Sequence, residues 1–199
     1  MKTVVFTVFL TLFSFTASDT VSGMIEAVYI PDPVITVTGI DEQNKPLILE
    51  YDKKTGELLK YSQKKEDGEK KKDFDLFLKL FFNSYEHTVP ETMTKTAKSL
   101  SEKLKSNGIS LESTIVSVDE RTGAPVISIG KEKRFSSNNE LAVYKDSFLP
   151  SHLATGDDTI VFSHYHKSVL PASFPGKIDF YKNGILIKTW LFYRPEFRQ

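Results

Sequence analysis

Ile178-Asp179-Phe180-Tyr181-Lys182-Asn183-Gly184-Ile185-Leu186-Ile187-Lys188-Thr189-Trp190 is the stretch that decides the fold. Two runs rich in β-branched and aromatic residues flank Asn183-Gly184. That dipeptide supplies the two positive φ angles of a type I′ turn, whose twist matches that of paired strands. The stretch therefore predicts a tight hairpin, with Asp179 opposite Lys188 and Phe180 opposite Ile187.

The same logic extends outward. Leu47 to Tyr51 and Glu57 to Tyr61 flank Asp52-Lys53-Lys54-Thr55-Gly56, and Thr114 to Val118 and Ala124 to Ile129 flank Asp119-Glu120-Arg121-Thr122-Gly123. In each, a type I turn closed by a left-handed glycine predicts a hairpin with one buried face. Pro125 cannot donate to a ladder, which points to an edge or bulge position for its strand. Met24 to Ile30, Val34 to Ile40, Glu140 to Phe148 and Thr159 to His166 read as further strands, and Pro150 to Asp158 reads as a loop.

Two helices are expected at the centre. Phe74, Phe77, Leu78, Phe81, Phe82 and Tyr85 recur at helical spacing and form one aromatic stripe. In the second, Thr88 and Glu91 have capping-box spacing, Pro90 suits the first turn, and Asn107-Gly108 supplies the stop. Residues 64–73, with five lysines and four acids around Gly68, read as a solvated loop between hairpin and helices. The expected fold is α+β: an antiparallel sheet built from β-hairpins, with two central helices packed on one face.

The hairpin at Asp119–Gly123 also resembles the one that follows a helix in small exported modules of the PepSY type. The resemblance covers residues 111–130 alone and carries no function with it.

At the amino terminus, Lys2 precedes an apolar run from Thr3 to Phe15, and Thr16, Ala17 and Ser18 then meet Asp19. This is the layout of a secretory signal peptide. The 13 apolar-run residues are short of the roughly 20 a spanning helix needs. Cleavage is expected after Ser18, leaving residues 19–199 as a single domain with no transmembrane segment. The 199-residue precursor has 26 basic and 26 acidic residues; loss of Lys2 leaves the mature chain at a net charge of −1. That balance offers no electrostatic footprint for nucleic acid.

The chain has no cysteine, which excludes disulfides, thiolate metal sites, a cysteine nucleophile and a lipidated cysteine. It also lacks any Asn-x-Ser/Thr triplet. Together these point to a bacterial protein that is periplasmic or extracellular.

Two clusters are candidates for chemistry or binding. His164 and His166, two apart on a strand, can share a face and offer nitrogens to one ion, with His152, Asp157 and Asp158 near in sequence. Ser163 beside His164 lacks a nucleophile elbow. Trp190, Phe192, Tyr193 and Arg194 combine the residue types that dominate binding hot spots and are candidates for a partner surface.

No motif calls for a cofactor. The leading expectation is an exported non-enzymatic protein that binds a protein partner or self-assembles in a cell-envelope or extracellular structure. The alternatives are a metal-dependent exported enzyme using His164 and His166, and a carrier of a small apolar ligand held against the phenylalanine helix.

Overall fold

Asn183 and Gly184 adopt φ angles of +51° and +75°, and Lys182 pairs with Ile185 across them. The hairpin so formed joins β9 (Ser173–Lys182) to β10 (Ile185–Phe192). Its register differs from expectation beyond the turn. A bulge at Ile187 shifts the pairing, so Phe180 faces Lys188 and Asp179 faces Thr189.

The computed structural model describes residues 15–27, 34–52, 57–61, 90–131, 139–167, 173–193 and 196–198. Around the β9–β10 hairpin, β1 (Val34–Asp41), β2 (Pro46–Asp52) and β3 (Glu57–Tyr61) lie on one side. On the other lie β8 (Asp158–Lys167), β7 (Pro150–Thr155), β6 (Glu140–Tyr144), β5 (Pro125–Ile129) and β4 (Thr114–Val118). The sheet order is β3-β2-β1-β10-β9-β8-β7-β6-β5-β4, and β11 (Glu196–Arg198) adds to β1. Every described pairing is antiparallel.

The described helices are α1 (Ala17–Ala27) and α2 (Pro90–Ser106), so the chain is sheet-dominated with two helices among the described residues. The expected helix over Phe74 to Tyr85 and the charged segment 64–73 lie outside the described residues, as does the cap residue Thr88. Pro90 opens α2, and Gly108, at φ +77°, ends it. The amide of Ile109 donates to the Leu104 carbonyl at 3.1 Å, with both side chains buried, which is the Schellman arrangement.

The expected strand over Met24 to Ile30 is corrected: residues 24–27 are the end of α1. Thr16 and Asp19 start that helix as a reciprocal cap. The Asp19 amide donates to Thr16 Oγ1 at 3.1 Å, and the Thr16 amide donates to Asp19 Oδ2 at 3.3 Å. The small residues that read as a cleavage site thus also spell a helix start. Val21, Met24 and Ile25 point into the core.

That core is one apolar cluster. Helix residues Val21, Met24, Leu100 and Leu104 meet sheet residues such as Val37, Leu47, Leu141, Phe162, Phe174 and Trp190. Strand alternation places Trp190 and Phe192 on this inner face, where Trp190 packs edge-on against Phe180 and Phe192 against Phe174. At Gly39 the sheet draws tight: a Cβ there would run into the Leu191 carbonyl oxygen. Only glycine allows β1 to approach β10 so closely.

Pro150 to Asp158, expected as a loop, contains strand β7. Pro125 opens β5, which lies between β4 and β6 and not at an edge. Its lack of an N–H is tolerated because it is the first residue of the strand.

Candidate functional site

The bulge between β6 and β7 builds the most polar buried place among the described residues. Ala142 pairs with His152 and Val143 with Pro150, so Ser151 is the extra residue. An unbroken strand would send the Ser151 and His152 side chains to opposite faces. The inserted residue interrupts that alternation, and both side chains reach the same carboxylate, that of Asp119.

Asp119 comes from the β4–β5 turn. Its Oδ1 accepts from the Arg121 amide at 2.9 Å and from Arg121 Nε at 3.2 Å. Its Oδ2 accepts from the Ser151 hydroxyl at 2.7 Å and lies 3.7 Å from His152 Nδ1. Gly123, at φ +69°, donates its amide to the Asp119 carbonyl at 2.8 Å and closes the turn. On the other side of the imidazole, His152 Nε2 lies 2.8 Å from Glu140 Oε1. Lys131 Nζ stands 3.6 Å from Glu140 Oε2. Ser151 is fully buried, and His152 and Asp119 are each 5% exposed.

Burial by itself raises the Asp119 carboxyl. The contact with His152, the Arg121 amide and the Ser151 hydroxyl outweigh it and hold the group well below the ordinary carboxylate range. Glu140 is lowered in the same way: burial opposes ionisation, and His152 and Lys131 more than compensate. Two tyrosines close the neighbourhood. Burial raises both Tyr144 and Tyr165, and the Tyr165 hydroxyl donates to the Pro150 carbonyl at 2.5 Å. The start of β7 is thus pinned from two directions.

The chemistry of this arrangement is that of a clasp. Ser151 gives its proton to a carboxylate, its oxygen is 3.5 Å from His152 Nδ1, and no solvent reaches it. A nucleophilic serine needs the opposite: an exposed oxygen and a base positioned to take its proton. The carboxylates flank opposite ring nitrogens, so they grip the imidazole and do not converge on a common point. Among the described residues, no group of three or more His, Asp or Glu side chains is placed to hold a metal ion.

The residues singled out from sequence fall elsewhere. His164 is exposed, with φ +54°, and its Nδ1 lies 3.0 Å from the Ser163 hydroxyl. His166 pairs through its backbone with Phe174; its side chain lies outside the described residues. Trp190 and Phe192 are core residues, 1% and 4% exposed, and offer no surface to a partner. Tyr193 is 56% exposed, and Arg194 lies outside the described residues.

The sequence pattern does not single out Ser151, Glu140 or Lys131, and it brings in His152 only as a further metal ligand near His164 and His166 in sequence. The usable signal was the Asp-x-x-Thr-Gly turn, which presents its first residue to the neighbouring strands.

Compared with known proteins, the chain matches no family model, no curated protein and no solved structure. The functional reading therefore rests on the chain's own geometry.

Proposed function

We propose that this is an exported, non-enzymatic protein that docks a protein partner in the periplasm or outside the cell. In this reading hairpins build the sheet, helices cover its inner face, and part of the outer face receives the partner. The supporting observation is the outer face of β10 where it meets β1. Leu191, 41% exposed, pairs with Ile40, and Tyr193 donates its amide to the Thr38 carbonyl at 2.8 Å. Thr38 in turn pairs with Ile48 of β2, so Tyr193, Leu191, Ile40 and Ile48 share one face.

A tyrosine and three aliphatic residues over adjacent strands form the apolar centre of a docking patch. The leader sequence and the absence of cysteine support the compartment. The clasp at Ser151 supports the non-enzymatic part, because its polar groups are engaged in joining strands.

The test is a photo-crosslinking side chain at Leu191, with Glu102 on the exposed face of α2 as control. Crosslinks to a protein partner in envelope or host extracts from position 191 alone are the expected result. A strictly monomeric protein with no adduct from position 191 overturns the reading.

A further inference from the structure

The tip of the β9–β10 hairpin carries a surface that the proposed docking patch does not include. Ile185, Leu186 and Ile187 are consecutive and are 68%, 50% and 49% exposed. Consecutive strand residues face opposite sides. Ile185 pairs with Lys182 and lies on the helix side of the sheet; Leu186 pairs with Tyr181 and lies on the outer side; Ile187 is the bulged residue. The apolar surface therefore wraps round the ribbon.

Among the described residues the β1–β10 pairing ends at Asp41 opposite Trp190, short of the tip at residues 185–187. An apolar tip exposed on both faces is poorly matched to a protein groove, which covers one face. It is well matched to a medium that surrounds it.

We infer that the Ile185-Leu186-Ile187 tip inserts into the interfacial region of a lipid bilayer. The flanking residues fit that occupant. Tyr181 lies across from Leu186 and has the apolar body and polar end suited to the headgroup level. Lys182 faces Asp158 across the β8–β9 pairing, and Asn183 donates its amide to the Asp157 carbonyl at 2.8 Å. These acids balance Lys182 and Lys188 around the tip, so insertion is driven by apolar burial and anionic lipid is not required.

The inference is independent of the partner patch at Leu191 and Tyr193, and vesicles without protein test it alone. Because the chain has no cysteine, Ile187→Cys gives a single attachment point for an environment-sensitive fluorophore. With phosphatidylcholine vesicles the label at 187 should shift to the blue, and a label at Val116→Cys on the β4 edge should not. Flotation of the unlabelled chain with the same vesicles should fall at least about tenfold in the Ile185→Ser/Leu186→Ser/Ile187→Ser variant. Circular dichroism matching wild type establishes that this variant is folded.

Adding phosphatidylglycerol should change binding little. Absence of flotation and of a blue shift overturns the inference. So does binding confined to anionic vesicles and retained by the triple variant. Loss of a homodimer in the triple variant, with no vesicle binding by wild type, assigns the tip to a second copy of the chain and overturns it equally.

Discussion

The ring of Phe148 fills the space where Gly23 would otherwise carry a side chain. A Cβ on Gly23 would stand 2.8 Å from Phe148 Cδ1, well inside contact distance. Phe148 holds this position from a left-handed backbone, φ +55°, in the turn between β6 and β7, and Phe15 packs on it edge-on at 5.9 Å. A bulky residue at positive φ is uncommon, and here the docking of its ring on α1 accompanies the strain.

Gly23→Ala sets two effects against each other. Alanine in place of glycine favours a helix by about 1 kcal/mol, whereas forcing an atom into a filled contact costs about 1–3 kcal/mol. The clash is with a ring held by its own turn, so the expected result is a net loss of about 1 kcal/mol. Urea denaturation checks it, with Ser22→Ala on the same helix expected to lose nothing.

His152→Ala should cost about 3 kcal/mol, because it leaves the Asp119 and Glu140 carboxylates buried without the imidazole between them. The loss should exceed that of Ser151→Ala, which removes one hydrogen bond to a charged group, about 1.5–3 kcal/mol. Equilibrium unfolding of both variants distinguishes the clasp from a passive pair of surface residues.

Acid should weaken the fold in a defined direction. Asp119 and Glu140 are held below their ordinary values in the folded chain. The unfolded chain takes up protons first as pH falls, so the stabilisation is complete above about pH 5 and is lost progressively below it. Measured stability should rise from about pH 2 to 5. Asp119→Asn/Glu140→Gln should flatten that rise, and equal slopes in the two proteins would refute the assignment.

The start of α1 gives a fourth expectation. A chain beginning at Asp19, as cleavage after Ser18 would leave it, lacks the Thr16 cap and the buried Ala17 side chain. Loss of the cap costs about 1 kcal/mol. Relative to a chain beginning at Phe15, the melting temperature should fall by about 2–4 °C.

These residues also show what could be read from the sequence and why the rest was hidden. Asn183-Gly184 and Asp119 to Gly123 were legible because turn chemistry is local: positive φ angles and short side-chain bonds depend on neighbours in the chain. Strand β7 was hidden because its polar residues, Ser151 and His152, are satisfied by Asp119 and Glu140, which are distant in sequence. The end of α1 reads as a strand because Met24 and Ile25 open the short apolar run to Ile30, and its Thr16–Asp19 cap shares residues with the expected cleavage site. Trp190 and Phe192 read as candidates for a partner surface, and only the β1 and β9 neighbours show that they point inward while Leu191 and Tyr193 point out.

The sheet order has a consequence for how the chain must be made. Strands β4 to β10 follow one another as neighbours, so each can join the ladder as it emerges. β1 comes early and its partner β10 comes almost last. Until β10 leaves the ribosome, β1 presents an open edge, and the apolar side chains beneath it have no cover from Trp190 and Phe192. Closing that pair over nearly the whole length of the chain is a slow, late event. The newly made chain thus passes through a period in which it needs protection from aggregation, and loss of β10 and β11 would leave β1 without those two sheet neighbours.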